Sequence, residues 1–204
     1  MVERQPEEIV AVDLDGTLVE GNTLHIFIRT ALRSAGFAKA VKIYAWLALR
    51  ALRLVSHSKM KFAVLKNIDV DEKLFDRFKS AVEARKRPEV LQFIEQCQAE
   101  GCRVVLATAA PDVYIPQIWD GEFVATQTYD NAERLECRGS VKLQRLEALK
   151  GDNGVLSAVV TDHFDDLPLL LSGARRNILV SPSAKTLRKV REKGVPFEIM
   201  RPNV

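Results

Sequence analysis

The chain has 204 residues, of which 47% are hydrophobic and 28% charged, with a formal net charge of +3. That length allows one large domain or a core with an insertion, and the hydrophobic share is enough for a sizeable buried core, which excludes a disordered chain. The charge surplus is too small to argue for a nucleic-acid partner, and none is expected.

The N-terminal "MVERQPEE" has no apolar signal region. The run "EIVAVDL" (8–14) reads as the first strand, nearly continuous in apolar residues and rich in valine. From residue 22 to about 87 no strand can be read. "TLHIFIRTALRSAG", "AKAVKIYAWLALRALRLVS" and "KLFDRFKSAVEARK" read as helices instead. A connection of about sixty residues is longer than a crossover needs, so it is expected to form a helical cap over the sheet. The expected division is a core of residues 1–21 and 86–204, with the cap at 22–85. The longest apolar stretch, Ala40–Val55, is broken by Lys42, Arg50 and Arg53 and falls short of the ~20 residues a bilayer span needs. A soluble cytoplasmic protein is expected.

Strand and helix then alternate. Pro88–Glu100 is a helix with proline in its first turn, stopping at Gly101. "CRVVLAT" (102–108) and "EFVATQ" (122–127) are strands. Val141–Lys150 is a helix with Ser140 as its N-cap and Gly151 after it. "LSAVVTD" (156–162) is a strand, Leu167–Leu171 starts a short helix, "NILVS" (177–181) is the fifth strand, and Lys185–Lys193 is the last helix. The pattern predicts an α/β fold with a doubly wound parallel sheet. Cys97, Cys102 and Cys137 show no metal-ligand spacing and are expected as reduced thiols.

Ligands of open α/β sheets bind beyond the carboxyl ends of the strands. Asp13 and Asp15 lie at that end of the first strand. Two carboxylates so close repel unless a cation lies beside them, and Mg²⁺ suits carboxylate oxygens together with a substrate phosphate. Taken alone, Asp15-Gly16 is equally a turn. Thr108 ends the second strand, and Thr161, Asp162, Asp165 and Asp166 cluster after the fourth. Singly, these are an N-cap and a solvated acidic loop; together they place a hydroxyl and two acidic groups on one edge. Lys142 sits in the first turn of its helix, against the dipole, as a residue meant for an anion or as a surface lysine.

These residues resemble a known family, the haloacid dehalogenase (HAD) superfamily, in its phosphoserine phosphatase-like branch (subfamily IB, with a C1-type helical cap). "DLDGT" (13–17) is similar to the family's first motif, DxDGT. Thr108 in "VVLATAA" is similar to the second, Lys142 in "GSVK" to the third, and "TDHFDDLPLL" (161–170) to the fourth, GDSxxDxPLL. The resemblance implies a Mg²⁺-dependent phosphomonoesterase, a phosphoric monoester hydrolase, acting on a small phosphorylated metabolite. It implies Asp13 as the nucleophile that becomes an aspartyl-phosphate and Asp15 as general acid and then base. Thr108 and Lys142 would hold phosphoryl oxygens. The metal would be bound by Asp13, Asp15 (through its backbone carbonyl), Asp162 and Asp166, the last directly or through water.

Departures from the pattern narrow the reading. Thr161 replaces glycine and His163 replaces serine in the fourth motif. His163 is read as packing beside the site, with titration, contact to a substrate oxygen or a shift toward Mn²⁺ as alternatives. Asp166 is preferred to Asp165 on spacing. Asn22 stands where phosphoserine phosphatases of the family carry Glu, and Glu20 is two residues early, so phosphoserine is not the expected substrate.

On a helical wheel Lys39, Lys42, Trp46, Arg50 and Arg53 share one face, with Ile43, Leu47, Ala51, Leu54 and Val55 opposite. The face is read as solvated, or as a peripheral contact with an anionic membrane or a guide for an acidic substrate. Lys59, Lys61 and Lys66 continue the positive character and could face the site; His25 and His57 are read as packing or surface residues. The alternatives to a metabolite phosphatase are a lipid phosphatase of the phosphatidylglycerophosphatase type at the membrane surface, a phospho-acceptor module, or a non-catalytic binding module. Nothing in the sequence sets an oligomeric state.

Overall fold

A computed structural model describes residues 6–129 and 135–201; residues 1–5, part of the N-terminal stretch read for a signal region, lie outside the described residues. The core is a parallel sheet of six strands: β1 (Glu7–Val12), β2 (Arg103–Pro111), β3 (Glu122–Thr126), β4 (Gly154–Thr161), β5 (Arg176–Val180) and β6 (Glu198–Met200). Their spatial order is β3-β2-β1-β4-β5-β6, so β1 lies inside the sheet between β2 and β4. The doubly wound α/β reading is confirmed.

The alternation of side chains across each strand explains the continuous apolar runs. In β1, Val10 and Val12 enter one hydrophobic cluster while Ile9 and Ala11 enter another on the opposite face. In β2, Val104 and Leu106 separate from Val105 and Ala107 in the same way. Each face is then covered by helices. α5 (Pro88–Ala99) brings Val90, Ile94 and Cys97 to the first cluster. α6 (Ser140–Lys150) and α8 (Ala184–Glu192) bring Leu146 and Val190 to the second, and the short α7 (Leu167–Leu170) adds Leu169 and Leu170. A strand buried on both faces must be apolar at every position.

Four helices lie between β1 and β2: α1 (Thr23–Leu32), α2 (Phe37–Ala51), α3 (His57–Leu65) and α4 (Glu72–Glu83). Side-chain caps start three of them. Asn22 Oδ1 accepts from the His25 amide at 3.1 Å, Ser56 Oγ from the Lys59 amide at 3.1 Å, and Asp71 Oδ1 from the Leu74 amide at 2.7 Å. The two ends of this insertion are stitched together. Val19 bridges Lys86, the Glu20 amide donates to the Arg85 carbonyl and the Arg87 amide to the Leu18 carbonyl, each at 2.9 Å. Inside, Phe27 of α1 and Phe78 of α4 pack edge to face at 5.1 Å, and both meet Tyr114, at 4.9 and 4.8 Å, in the 3-10 turn after β2. The Tyr114 hydroxyl lies 3.1 Å from Thr23 Oγ1, so its polar end is satisfied.

The structure differs from the sequence reading in four places. The stretch read as one helix through Ser56 ends at Ala51, where Arg53 takes φ 60°, and α3 begins afresh at the Ser56 cap. Arg53, Leu54 and Val55 therefore leave the helical face assigned to them. α6 begins at Ser140 itself, after Gly139 at φ 57°, so Ser140 is not the cap. β2 runs to Pro111, past Thr108, with its pairing to β3 shifting between Ala107 and Pro111. β6 has only three residues, too few to show a period.

Phe27 is fully buried at the junction of the insertion and the sheet. Phe27→Ala should cost about 3–5 kcal/mol, read as a lower urea midpoint, with Tyr114→Phe costing about 1 kcal/mol through its lost hydrogen bond.

Candidate active site

The chain passes from β1 to β2 and β3 on one side of the sheet, then crosses to β4 on the other. The strand order therefore reverses at the β1/β4 junction, where a crevice opens beyond the strand ends. Asp13 is the first residue after β1 and Asp162 the first after β4. The Asp13 amide donates to the Val160 carbonyl at 2.9 Å, which holds the two strand ends in register. A cavity of about 260 Å³ lies over this junction, and Asp13, Asp15, Thr108, Lys142, Asp162 and Asp166 all line it.

Lys142 is the third residue of α6 and is almost wholly buried. Its Nζ donates to Asp13 Oδ1 at 2.9 Å and to Asp166, 2.7 Å from Oδ1 and 2.9 Å from Oδ2. Burial alone would lower its pKa, but Asp13 and Asp166 outweigh burial and hold it above its ordinary value. The Thr161 hydroxyl donates to Asp166 Oδ2 at 2.7 Å. Both oxygens of Asp166 are thus engaged with Lys142 and Thr161, so Asp166 stands behind the lysine. Thr161, the departure from glycine in the fourth motif, supplies one of its hydrogen bonds.

Asp15 points elsewhere. Its Oδ1 accepts from the Thr23 amide at 2.6 Å, at the N-terminus of α1. Burial raises its pKa, opposed by the Thr23 amide and by Lys61. Gly16 turns the chain at φ 80°, and its amide donates to the carbonyls of Val19 at 2.8 Å and Gly21 at 3.0 Å. A side chain at this position would collide with the carboxylate of Asp162, since a Cβ would lie 2.4 Å from its Oδ2. Thr108 is buried, and its Oγ1 accepts from the Ala110 amide at 3.0 Å while its proton stays available to an anion in the cavity.

The negative charge exceeds what one lysine neutralises. Burial pushes Asp13 up to about 8; Lys142 opposes this, while Asp166 and Asp15 add to it. Burial also raises Asp162, whose Oδ1 is 3.4 Å from the Thr17 hydroxyl. Such a surplus calls for a proton or a cation. Among the described residues no three His, Cys, Asp or Glu side chains are gathered closely enough to hold a metal ion. The expected ligand set does not require such a cluster, since Asp15 enters it through its main-chain carbonyl and Asp166 directly or through water. The Asp13 and Asp162 carboxylates with the Asp15 main-chain carbonyl would suit Mg²⁺, which keeps several waters and leans on one or two carboxylates plus substrate phosphate.

The other singled-out residues are placed as follows. His163 lines the cavity, lies 2.8 Å from Asp165 through Nδ1 and stacks on Phe164 at 4.1 Å, with Lys189 3.8 Å from the centre of that ring. Asp165 is paired with Arg138 and His163, away from Lys142. Asn22 lines the cavity while capping α1, whereas Glu20 is exposed. Lys61 is buried in the cavity wall, paired with Glu136 and donating to the Ala109 carbonyl at 3.0 Å. Lys59 and Lys66 are exposed and line a separate cleft with Trp46 and Phe62. His57 also lines the cavity, its pKa lowered by burial and by Lys61, while His25 is exposed. The sequence reading did not single out Glu136 or Arg138. They lie in "LECRGSVK", which ends at Lys142 and has no local pattern that separates a cavity wall from solvent.

Comparison with known proteins agrees with this geometry. A family model described as haloacid dehalogenase-like hydrolase matches residues 10–171. A protein of unknown function from Bordetella pertussis Tohama I is similar in structure, with a TM-score of 0.77 over 96% of this chain and 99% of that one at 15% identity. A phosphoserine phosphohydrolase-like protein from Francisella tularensis gives 0.57 over 96% and 95% at 14% identity. A phospho-aspartyl intermediate analogue of phosphoserine phosphatase gives 0.56 over 98% and 96% at 13% identity. At these identities the likenesses show the fold. No curated protein matches the sequence.

Two outcomes follow from the site. Gly16→Ala should remove Mg²⁺ binding, because the added methyl displaces Asp162 and strains the turn; isothermal titration checks it. In metal-free protein the folded state keeps a proton on Asp13 that the unfolded chain, at its usual 3.8, has released. Stability should therefore fall as pH rises from about 4 to about 8. Added Mg²⁺ should offset the fall and Asp13→Asn should flatten it, as read in melting temperatures across that range.

Proposed function

The chain belongs to the haloacid dehalogenase-like hydrolases, and on that premise we propose that it is a Mg²⁺-dependent phosphomonoesterase that works through an aspartyl-phosphate on Asp13. One observation carries the reading: Asp13 and Asp15, two residues apart, are held in opposite environments. Asp13 is anchored by Lys142 through one oxygen, and its Oδ2 carries no hydrogen bond among the described residues. Asp15 is aimed at the start of α1, with its pKa raised by burial. Separate environments give two carboxylates separate roles.

In this reading Asp13 Oδ2 attacks phosphorus and the bond to the leaving oxygen breaks. Asp15, whose protonated form is favoured by burial, delivers its proton to that oxygen. The resulting Asp15 carboxylate then takes a proton from water, whose oxygen attacks phosphorus and frees Asp13 and inorganic phosphate. Lys142 and the Thr108 hydroxyl bind phosphoryl oxygens, and their fixed positions avoid reorganisation as charge develops. Asp166 and Thr161 hold Lys142 in place. Asp13, Asp162 and the Asp15 carbonyl would hold the ion. When bound, Mg²⁺ supplies Lewis-acid neutralisation of the phosphoryl charge.

We treat α1–α4 as a cap, since α3 contributes His57 and Lys61 to the cavity wall. The substrate is a small phosphorylated molecule. Phosphoserine is disfavoured because Asn22, in place of a carboxylate, has its side-chain oxygen engaged with the His25 amide.

Hydrolysis of an aryl phosphate in Mg²⁺ tests the proposal. Asp13→Asn should abolish turnover with the fold intact, and retained turnover rules Asp13 out as nucleophile. Asp15→Asn should lower kcat by roughly 10²–10⁴, with a smaller loss for an ester whose leaving group needs no proton. Chelation of Mg²⁺ should stop the reaction reversibly.

A further inference from the structure

The charge of this chain is segregated. Residues 21–68 contain nine Lys and Arg and no Asp or Glu, so the other 156 residues hold 21 basic against 27 acidic side chains. α2 lies within this acid-free segment, and its apolar residues are divided between two faces. Ile43 is fully buried, with Trp46 and Leu47 packed beside it on the core. Phe37, Val41, Tyr44 and Ala48 follow a helical stripe that continues to Leu52. Phe37 is 87% exposed and Tyr44 58%, and Leu52 and Leu54 after the helix are 69% and 68% exposed. Five of the ten large apolar side chains found exposed among the described residues thus lie on one helix and the turn that follows it.

Lys42 and Arg53 are exposed beside this ridge, and among the described residues neither has an ion-pair partner, whereas Arg50 lies on the other side of α2, toward His57. Lys39 in the same helix is already paired with Asp69. Among the described residues no helix is long and apolar enough to cross a membrane. A helix of 15 residues, about 22 Å long, with an outward apolar stripe and only positive charge has the composition of one lying in a bilayer interface.

We propose that α2 and the turn after it dock flat on an anionic lipid bilayer, with Phe37, Val41, Tyr44, Leu52 and Leu54 entering the headgroup boundary and Lys42 and Arg53 meeting lipid phosphates. The surface differs from the expected one, the stripe of Lys39, Lys42, Trp46, Arg50 and Arg53, of which Trp46 packs on the core. Charge complementarity selects this occupant. A second copy would set one acid-free surface against another and repel. A nucleic acid would use the cations and leave the ridge in water. The surface uses no catalytic residue, so it stands or falls independently of the hydrolytic reading.

Sedimentation of the full chain with phosphatidylcholine vesicles containing about one-third phosphatidylglycerol tests the docking. Binding should appear at low salt, weaken as salt rises, and be lost with pure phosphatidylcholine. Phe37→Ser with Tyr44→Ser, and separately Lys42→Glu with Arg53→Glu, should each weaken it by roughly 10-fold or more, with aryl-phosphate turnover in solution unchanged. As a second measurement, Tyr44→Trp should show added fluorescence that brominated lipid quenches. Failure to bind anionic vesicles at low salt, binding untouched by both double variants, or an unquenched Trp at 44 overturns the proposal. So does dimerisation in light scattering that Phe37→Ser with Tyr44→Ser abolishes, or binding to duplex DNA without binding to vesicles.

Discussion

A lysine cut off from water binds two aspartates that reach it from separate parts of the chain. Lys142 comes from the start of α6, Asp13 from the end of β1 and Asp166 from the loop after β4. Burying an ammonium group is unfavourable without such partners, and removing either one would leave a charge stranded in low dielectric. The loops at the switch point are therefore held to one arrangement. The same triad leaves Asp162 and part of the charge on Asp13 without compensation, an imbalance that calls for a proton or a cation.

The helical insertion belongs to this arrangement because it returns to the strand end from which it left. Leu18, Val19 and Glu20 pair with Arg87, Lys86 and Arg85 in turn, so the chain leaves and re-enters the core side by side. Phe27, Phe78 and Tyr114 then fuse α1 and α4 to the sheet. α1 starts where Asp15 needs a donor, and α3 carries Lys61 to the Ala109 carbonyl next to Thr108. The elements that close the cavity are therefore the ones that tune its carboxylates. α2 stands outside this work: its inner face packs on the core and its outer face meets solvent, which leaves that outer face available for a separate role.

Much of this was legible because some constraints are local. A parallel strand buried on both faces has to be apolar throughout, and β1, β2 and β4 show it. Helix ends need donors and left-handed glycines, so the stop at Gly101 could be read directly. Other features had weak local signals. β6 is too short for a period, and the break at Arg53 needed the Ser56 cap to be weighed against the helical propensity of the residues around it. Glu136 and Arg138 occupy a loop whose sequence has no pattern that distinguishes a cavity wall from solvent.

By itself the sequence determined the fold class, the order of the elements and the grouping of Asp13, Asp15, Thr108, Lys142, Asp162 and Asp166 near one sheet edge, because strand ends in a parallel sheet share that edge whatever the packing. Only the tertiary structure decided which carboxylate faces which partner. Asp166 turns to Lys142 and Thr161 while its neighbour Asp165 turns to Arg138, and Asp15 turns to Thr23 while Asp13 turns to the lysine. It also decided which face of α2 is outward, since a helix with apolar residues on two sides buries the one that meets its neighbours. Those choices depend on burial and on distances between residues far apart in the chain, and spacing along the sequence contains neither.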